Sequence, residues 1–438
     1  MKTDCVRHST VLLLAVMALM SFTHGVVSAQ DNRPEPQFQL SQNDLNGFDD
    51  LAVSYVQTGQ IANVSYGVWQ YGALIKDGFH GTIPNDSSTR VADDTIYQIY
   101  SMTKLVTAVG MLILNERGCF DLDDPITTVL PEFEGIEVVA DYDEDGELYT
   151  FLPPEGPTFR QLLSHTAGFA YQSESRHPVD RAFIELDVAN APSGDDLVAR
   201  VTSMPLMRSP GSEWNYSIAS DLQGVVIERL TGETLHGFLT REIFDRLNMR
   251  DTGFFIPEEK ATRVSAVTRR SANGLNFDPR VDLSKEAQAL TYFEGGHGLV
   301  STLADYHRFL ETLRRGGSVG PIQILTPESV VVLSSNAIRY KGQPAPQRGY
   351  GSQSGLGYGF GVGIVENPSV SGYHAPKGSY FWYGALGSWF WVDPTNEIVF
   401  IGMIQTQTPI SPDIIKASMT SVYGPPEVET APSTGALP

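Results

Sequence analysis

The stretch of sequence that decides the fold is Tyr97-Gln98-Ile99-Tyr100-Ser101-Met102-Thr103-Lys104. It opens an apolar run to Leu114 that ends at Gly118, which predicts a helix beginning near Ser101 and stopping at that glycine. Positions i and i+3 share one face of a helix, so the Lys104 ammonium is expected within reach of the Ser101 hydroxyl. An ammonium desolvated at this place has a lowered pKa. The pattern therefore predicts a serine nucleophile whose proton Lys104 holds or takes.

An S-x-x-K pattern is a weak signal by itself, and here it is followed by an ordered set of further motifs. They are Asp121-Leu122-Asp123-Asp124-Pro125, Leu130-Pro131-Glu132-Phe133, Leu162-Leu163-Ser164-His165-Thr166-Ala167-Gly168, Gly211-Ser212-Glu213-Trp214-Asn215-Tyr216-Ser217 and Gly295-Gly296-His297-Gly298-Leu299-Val300-Ser301-Thr302. Taken together, the set resembles the serine β-lactamase and penicillin-binding superfamily over about residues 50 to 410. The order of the motifs is specific, although each one alone is not.

The resemblance assigns Tyr216 as the catalytic base or proton relay. A phenol has a pKa of about 10 and is a poor base at neutral pH, but the nearby Lys104 ammonium lowers that pKa. The two groups are expected to titrate as one coupled unit, without a single assigned proton position. The alternative is that Tyr216 is an ordinary core aromatic. The resemblance also implies an oxyanion hole formed by the N–H groups of Ser101 and Ala385.

The third family motif is where this sequence departs from the lactamases and peptidases. Those enzymes carry Lys-Thr-Gly or Lys-Ser-Gly on an edge strand, and the lysine helps to bind the substrate carboxylate. Here the corresponding strand reads Phe381-Trp382-Tyr383-Gly384-Ala385-Leu386-Gly387-Ser388. Trp382 stands in place of the cation, and Trp-x-Gly is similar to the carboxylesterase branch of the superfamily. Lys377, just before the strand, is the alternative as a displaced cation.

The tryptophans around this strand predict an apolar acyl pocket. Trp382, Tyr383, Gly384 and Trp214 are the expected substrate-binding residues, and Gly384 lets the strand backbone approach the ester closely. Core packing is the alternative for any of the tryptophans. It is expected for one of Trp389 and Trp391, which strand alternation places on one face. The aromatic and β-branched run from Tyr380 to Thr406, which is broken at 394–396, predicts a two-stranded hairpin late in the chain.

The order of elements predicts the fold class. An early hairpin is expected between Asn63 and His80. One helix is expected to begin at 159–163 and to be closed by Gly168, two more are expected over 217–230 and 305–315, and strands return after 380. This order is typical of an α/β (α+β) fold, in which an antiparallel sheet built from both chain ends is flanked by helices and carries a mainly helical inserted subdomain. The site would lie between the two layers.

The two ends of the chain and its net charge restrict where the protein can be located and which partners it can bind. Residues 1–29 have a basic start, a short apolar run and small residues at Val27-Ser28-Ala29, which predicts a cleaved signal peptide and a periplasmic or secreted protein without membrane insertion; a membrane anchor is the alternative for this segment. Residues 30–423 form the predicted domain, and 424–438 the predicted disordered tail. A formal net charge of −21 disfavours nucleic acid as a partner.

Two other motifs are expected to be coincidental. Gly316-Gly317-Ser318-Val319-Gly320 matches G-x-S-x-G, but a nucleophile elbow needs a strand before and a helix after it. The acidic run from Asp141 to Gly146 opens like a calcium loop, yet position twelve of that loop is Leu152, so an acidic hairpin tip is expected. No zinc motif is present in the sequence, and no metal or cofactor is expected.

The sequence thus predicts an exported serine hydrolase that cleaves small carboxylic esters or amides through an acyl-enzyme on Ser101. A β-lactamase or D-Ala-type peptidase, an acyltransferase that passes the acyl group to an alcohol, and a non-catalytic cell-wall or ligand sensor remain alternatives. The presence of Ser101, Lys104 and Tyr216 argues against the sensor. The sequence does not determine the oligomeric state.

Overall fold

The computed structural model describes residues 38–83, 86–171, 177–272, 274–277, 292–340, 343–344, 347–348, 354–408 and 411–424. The predicted signal peptide, and all but the first residue of the predicted tail, lie outside the described residues. Within those ranges, no helix has both the length and the apolar character that a membrane span requires.

The strands fall into one large sheet and several short pairs. In chain order they are β1 (Asn63–Gln70), β2 (Ala73–Ile83), β3 (Asp86–Arg90), β4 (Tyr97–Gln98), β5 (Val138–Tyr142), β6 (Leu148–Phe151), β7 (Trp214–Asn215), β8 (Thr268–Ser271), β9 (Gly274–Phe277), β10 (Val300–Ser301), β11 (Ser318–Val319), β12 (Ile322–Gln323), β13 (Arg339–Tyr340), β14 (Gln343–Pro344), β15 (Gln347–Arg348), β16 (Leu356–Tyr358), β17 (Gly363–Val365), β18 (Tyr380–Tyr383), β19 (Gly387–Asp393) and β20 (Ile398–Gln405).

The α-helices are concentrated in the middle of the chain, with one more near each end. They are α1 (Asn46–Gln57), α2 (Thr103–Glu116), α3 (Phe159–Leu163), α4 (Pro178–Glu185), α5 (Gly194–Thr202), α6 (Ala219–Thr231), α7 (Leu235–Leu239), α8 (Leu303–Arg314), α9 (Pro327–Leu333), α10 (Pro368–Ser371) and α11 (Ser411–Tyr423). Short 3-10 turns are found at Gln42–Leu45, Tyr100–Met102, Ile126–Thr128, Pro131–Phe133, Val188–Asn190 and Glu258–Arg263, and a π-helical turn at Thr240–Phe244.

The large sheet joins the two ends of the chain, as predicted. Its eight strands follow the order β16-β17-β18-β19-β20-β1-β2-β3, and each neighbouring pair is antiparallel. The last strand, β20, pairs with the first, β1, so that Ser65 lies opposite Met403. The helix-rich segment between β3 and β16 is therefore an insertion into an otherwise continuous sheet. The predicted fold class is confirmed.

The two faces of this sheet pack into different apolar clusters, because successive side chains of a strand point to opposite faces. One cluster contains Trp389 and Trp391 together with residues of α1 and α11, and we call this side the outer face. The other contains Trp382 together with residues of α2, α6 and α8, and we call it the site face. Trp389 and Trp391 share a face, as strand alternation predicts, but both are fully buried in the core, whereas core packing was expected of one.

Several local predictions hold, and others are wrong in detail. Helices α2, α6 and α8 lie close to the predicted ranges, and α6 ends at Gly232 with φ +69°. Helix α3 ends at Leu163 rather than at Gly168, because His165 adopts a left-handed backbone with φ +55°. Helices α1 and α11 were not predicted. Ser411-Pro412-Asp413 is a recognisable start signal for α11, but the apolar faces of both helices become visible only against the outer face of the sheet.

The late aromatic region forms three strands rather than the predicted two. The sequence suggested a single break at 394–396, but the chain also turns between β18 and β19, where Gly387 has φ +99° and its N–H donates to the Gly384 carbonyl. A run of large buried residues on both sides hides this turn from a hydrophobicity pattern. This turn carries Ala385, the predicted oxyanion-hole residue, which is exposed.

The two motifs that were expected to be coincidental adopt the predicted local structures. Ser318 lies in the small β11–β12 hairpin that follows α8, without the strand-to-helix turn of a nucleophile elbow. The acidic run after Asp141 forms the tip of the β5–β6 hairpin.

Candidate active site

Ser101 lies in the 3-10 turn that leads directly into α2. The preceding residue, Tyr100, has φ +43°, a left-handed backbone conformation that is unfavourable for a residue with a side chain and is often kept at functional sites. The turn is held by the Met102 N–H, which donates to the Ile99 carbonyl at 3.1 Å, and by Tyr306 Oη, which donates to the Met102 carbonyl at 3.0 Å. Ser101 is thus presented by a fixed turn at the start of a buried helix.

Lys104 is fully buried and reaches Ser101, as the i, i+3 spacing predicts. Its Nζ donates to Ser101 Oγ at 3.3 Å and to the Gly296 carbonyl at 2.8 Å. The same ammonium lies over two phenol rings, 4.7 Å from the centroid of Tyr216 and 5.6 Å from that of Tyr171. The structure therefore brings together the three residues that the sequence selected, and adds a second tyrosine.

Tyr216 follows β7 and is held by its neighbour on the chain. The Ser217 N–H donates to His165 Nδ1 at 3.1 Å, and the Ser217 hydroxyl lies 2.9 Å from the same nitrogen. Burial, together with the charge of Lys104, lowers the pKa of His165 well below its usual value, so the imidazole is neutral at pH 7. The rings of His165 and Tyr216 are 4.9 Å apart. His165 therefore fixes the segment that carries Tyr216.

The turn between β18 and β19 lies against the Ser101 turn. Gly384 packs so closely there that a Cβ atom would stand 2.5 Å from the Ile99 carbonyl oxygen and 3.3 Å from Tyr100 Cβ. Any residue other than glycine would push the strand away from the serine turn. Ala385 comes next in the chain, so its N–H lies in a turn that is held against Ser101. Its role as an oxyanion-hole donor, with the Ser101 N–H, stays a prediction.

An aromatic cluster surrounds Tyr216 on the site face. Trp382 lies 5.5 Å from Tyr216 and 5.2 Å from Tyr358 between ring centroids, and Trp214 lies 5.2 Å from Tyr358. Tyr383 belongs to the outer-face cluster, yet its ring stacks on that of Trp382, 5.4 Å away between centroids. The structure thus places Trp382 and Trp214 beside Tyr216, and Tyr383 contacts this group through Trp382.

Lys377 and His297 each pair with a glutamate carboxylate. The Lys377 ammonium lies 3.6 Å from the Glu366 carboxylate, and the lysine side chain is 70% exposed. His297 is paired with Glu294 at 3.1 Å, and its ring stacks on that of Tyr100. Within the described residues, no group of three or more His, Cys, Asp or Glu side chains is arranged to hold a metal ion.

Sequence reasoning missed Tyr171 and Asp221. Tyr171 follows the Leu162–Gly168 motif without any pattern that marks it. The Lys104 charge lowers the pKa of Tyr171. Burial and the neighbouring Tyr216, Asp221 and Glu294 raise it by more, so the net result is a raised pKa of about 12. Asp221 had a visible signal, since it is an acid inside the apolar helix that begins just after Tyr216.

Comparison with known proteins now places the chain in a family. The family model described as Beta-lactamase matches residues 48–418. The chain belongs to the β-lactamase family. Within this family, it is 29% identical to the acyltransferase calJ of Penicillium decumbens over 75% of this chain and 79% of calJ. It is 28% identical to esterase EstB of Burkholderia gladioli over 74% of this chain and 81% of EstB.

A solved structure shows the same fold. The β-lactamase-family chain superposes with a TM-score of 0.70 on EstCE1, described as a hydrolase with promiscuous acyltransferase activity, at 22% identity over 86% of this chain and 99% of EstCE1. Family membership and these relatives make the chain an enzyme of the serine hydrolase type.

Proposed function

We propose that the chain hydrolyses small carboxylic esters through an acyl-enzyme on Ser101. The observation that carries the proposal is the contact of 3.3 Å between Lys104 Nζ and Ser101 Oγ, made beside Tyr216 at the start of a buried helix. The similarity to esterase EstB supports an ester substrate. The aromatic residue at Trp382, in place of a cation, supports an uncharged acyl group.

In this mechanism Ser101 Oγ attacks the ester carbonyl carbon while its proton passes to the coupled Lys104/Tyr216 unit. The carbonyl π pair moves to oxygen, and the N–H groups of Ser101 and Ala385 donate to the resulting oxyanion. The bond to the alcohol oxygen then breaks, and the alcohol takes the proton back and leaves. Water attacks the acyl group in the same way, which releases the acid and restores Ser101.

The choice of ester over β-lactam rests on charge. A charge-assisted hydrogen bond to a substrate carboxylate contributes about 1.5–3 kcal/mol, or about one to two decades in kcat/KM. Trp382 offers no such charge and is 97% buried among aromatic rings. An apolar acyl chain gains from this surface, whereas a lactam carboxylate does not.

Acyl transfer is the second candidate, and it differs only in the acceptor. The similarity to the acyltransferase calJ and to EstCE1 favours it. An alcohol, rather than water, would then attack the acyl group on Ser101. Adding methanol to the ester assay distinguishes the two: a transferase yields mostly methyl ester at an alcohol concentration far below that of water, and a hydrolase yields mostly free acid.

Export is also a proposal. The basic start, the short apolar run and the small residues before position 30 support cleavage and a periplasmic or secreted location. The N-terminal sequence of the protein recovered from its host tests this, since an exported chain begins near Gln30.

The deciding experiment compares kcat/KM for p-nitrophenyl butyrate and benzylpenicillin on one preparation. We expect efficient ester cleavage and little or no lactam cleavage. Trp382→Lys should raise the penicillin-to-ester ratio by about one to two decades, while the uncharged control Trp382→Phe should not. Benzylpenicillin matching the butyrate ester in the wild type would overturn the esterase assignment, and Lys377 would be the first cation to test.

Labelling separates the enzyme from a non-catalytic sensor. A fluorophosphonate probe should modify Ser101 covalently, because the reaction needs an activated hydroxyl and no particular acyl pocket. Absence of label on the folded protein would favour the sensor.

A further inference from the structure

Two buried charges contact opposite ends of one glycine behind the catalytic serine. Asp221, in α6, is 2% exposed, and its Oδ1 accepts the Gly296 N–H at 3.1 Å. The carbonyl of the same Gly296 accepts Lys104 Nζ at 2.8 Å. Asp221 and Lys104 are therefore connected through a single residue, although they belong to different helices.

The Gly-rich segment is clamped between those helices. On the α2 side, Thr107 Oγ1 donates to the Gly295 carbonyl at 2.7 Å. On the α6 side, a Cβ atom on Gly296 would stand 2.5 Å from Asp221 Oδ2, so the carboxylate packs directly on the glycine backbone. Only a glycine leaves room for this contact, and the position of the Gly296 carbonyl depends on Asp221.

The surroundings of Asp221 contain little else that could balance its charge. Its Oδ2 is buried without a hydrogen-bond partner among the described residues. The acidic and aromatic groups that influence this region are Tyr171, Tyr216, Tyr292, Glu228 and Glu294, and the nearby imidazoles are His165 and the Glu294-paired His297. A buried carboxylate needs a cation or several donors. Lys104 is the cation that binds the carbonyl of Gly296, the residue whose N–H Asp221 accepts.

We propose that Asp221 is the counter-charge and positioning residue of Lys104, acting across Gly296. The inference rests on the proposed function and deepens it. Asp221 holds the Gly296 carbonyl towards the ammonium and favours the protonated state of the Lys104/Tyr216 unit. A negative charge raises the pH at which that unit loses its proton, so Asp221 sets the acid limb of the activity profile.

The first test is the pH dependence of kcat/KM for p-nitrophenyl butyrate. In Asp221→Asn the amide oxygen still accepts the Gly296 N–H, but the charge is gone, so the acid limb should move about one pH unit lower. Asp221→Ala should show the same shift and a plateau about 10- to 100-fold lower, because the glycine is released.

Glu228→Gln is the matched control. Glu228 is another acid of α6, half-buried where Asp221 is buried, and it also accepts a backbone N–H, that of Leu235 at 2.8 Å; among the described residues it makes no hydrogen bond to Gly296. Its variant should keep the wild-type acid limb. An unshifted limb in Asp221→Asn, or an equal shift in Glu228→Gln, would overturn the proposal.

A second test needs no activity, and so separates failure of this proposal from failure of the proposed function. Lys104→Met leaves Asp221 buried without its cation and should destabilise the fold. Adding Asp221→Asn to that variant should restore stability, whereas Asp221→Asn alone should not stabilise the wild type. Additive losses in urea unfolding would show that the two charges are independent and would overturn the proposal, whether or not any ester is cleaved.

Discussion

The two faces of the eight-stranded sheet differ in how their buried polar atoms are paired. On the outer face, Trp391 Nε1 donates to Ser418 Oγ of α11 at 2.9 Å. On the site face, Trp382 Nε1 and Tyr358 Oη are buried without a hydrogen-bond partner in the described ranges. A buried polar atom left unpaired costs about 1–3 kcal/mol. The site face thus keeps hydrogen-bonding capacity beside Tyr216.

One tryptophan of the outer face departs from this difference between the two faces. Trp389 lies on the outer face, yet its Nε1 also lacks a partner among the described residues. An unpaired indole therefore does not mark a site by itself. What distinguishes the site face is that Trp382, Trp214 and Tyr358, whose polar atoms find no partner in the part of the chain that the structure describes, gather around one reactive group, Tyr216.

The largest expected effect concerns the nucleophile, and it asks whether the site face is the reactive one. Ser101→Ala should lower esterase activity by roughly four or more decades, because the acyl group is carried on the Ser101 hydroxyl. Ser318→Ala, in the β11–β12 hairpin, is the control and should retain wild-type kcat/KM. The reverse pattern would make G-x-S-x-G the nucleophile motif and would refute the assignment of the site.

The next effect concerns two lysines that lie over tyrosine rings on opposite faces. Lys104→Ala and Tyr216→Phe should each lower kcat by roughly three decades, and the double variant should lose little more, because the two groups act as a unit. Lys416 lies 5.2 Å from the ring centroid of Tyr373 and packs on the outer face. Lys416→Ala should leave kcat unchanged. Multiplying losses in the Lys104/Tyr216 double variant would indicate independent roles.

A pH effect on stability is expected from His307, whose ring stacks 3.8 Å from Trp69 and whose Nε2 has no partner in the described structure. Burial lowers the pKa of His307 from 6.5 to about 4, helped by Arg314 and Arg308. Below pH 6.5 the histidine binds a proton in the unfolded chain but stays neutral in the folded chain. The free energy of unfolding therefore falls as the pH is lowered from 6.5 to 4, by at most about 3 kcal/mol. His307→Gln should flatten urea-derived unfolding free energies in that window. An unchanged slope would contradict this.

The smallest effect tests the pairing difference within the outer face. Trp391→Phe and Trp389→Phe remove similar volumes from the same core, but only the first removes a hydrogen bond, to Ser418. Trp391→Phe should therefore cost about 1 kcal/mol more than Trp389→Phe in the free energy of unfolding. Both should keep kcat/KM per folded molecule. Equal losses would mean that the indole contributes by packing alone.

Much of the fold was predictable because its signals are local. The S-x-x-K spacing places Lys104 on the side of Ser101, and strand alternation places Trp389 and Trp391 on one face. The paired ends of the sheet followed from the order of the elements. The turn at Gly384 was missed because large apolar residues surround it, and helix α11 was missed because only the sheet reveals which of its faces is buried.

What the sequence alone determined is therefore the order of the elements, and the residues that lie within a few positions of one another: Ser101 with Lys104, and Trp382 with Gly384. What only the tertiary structure decided is how distant segments meet, as when Gly296 is clamped between Lys104 and Asp221. The physical reason is that local spacing follows from helix and strand geometry, whereas contacts across almost 200 residues depend on how whole elements pack.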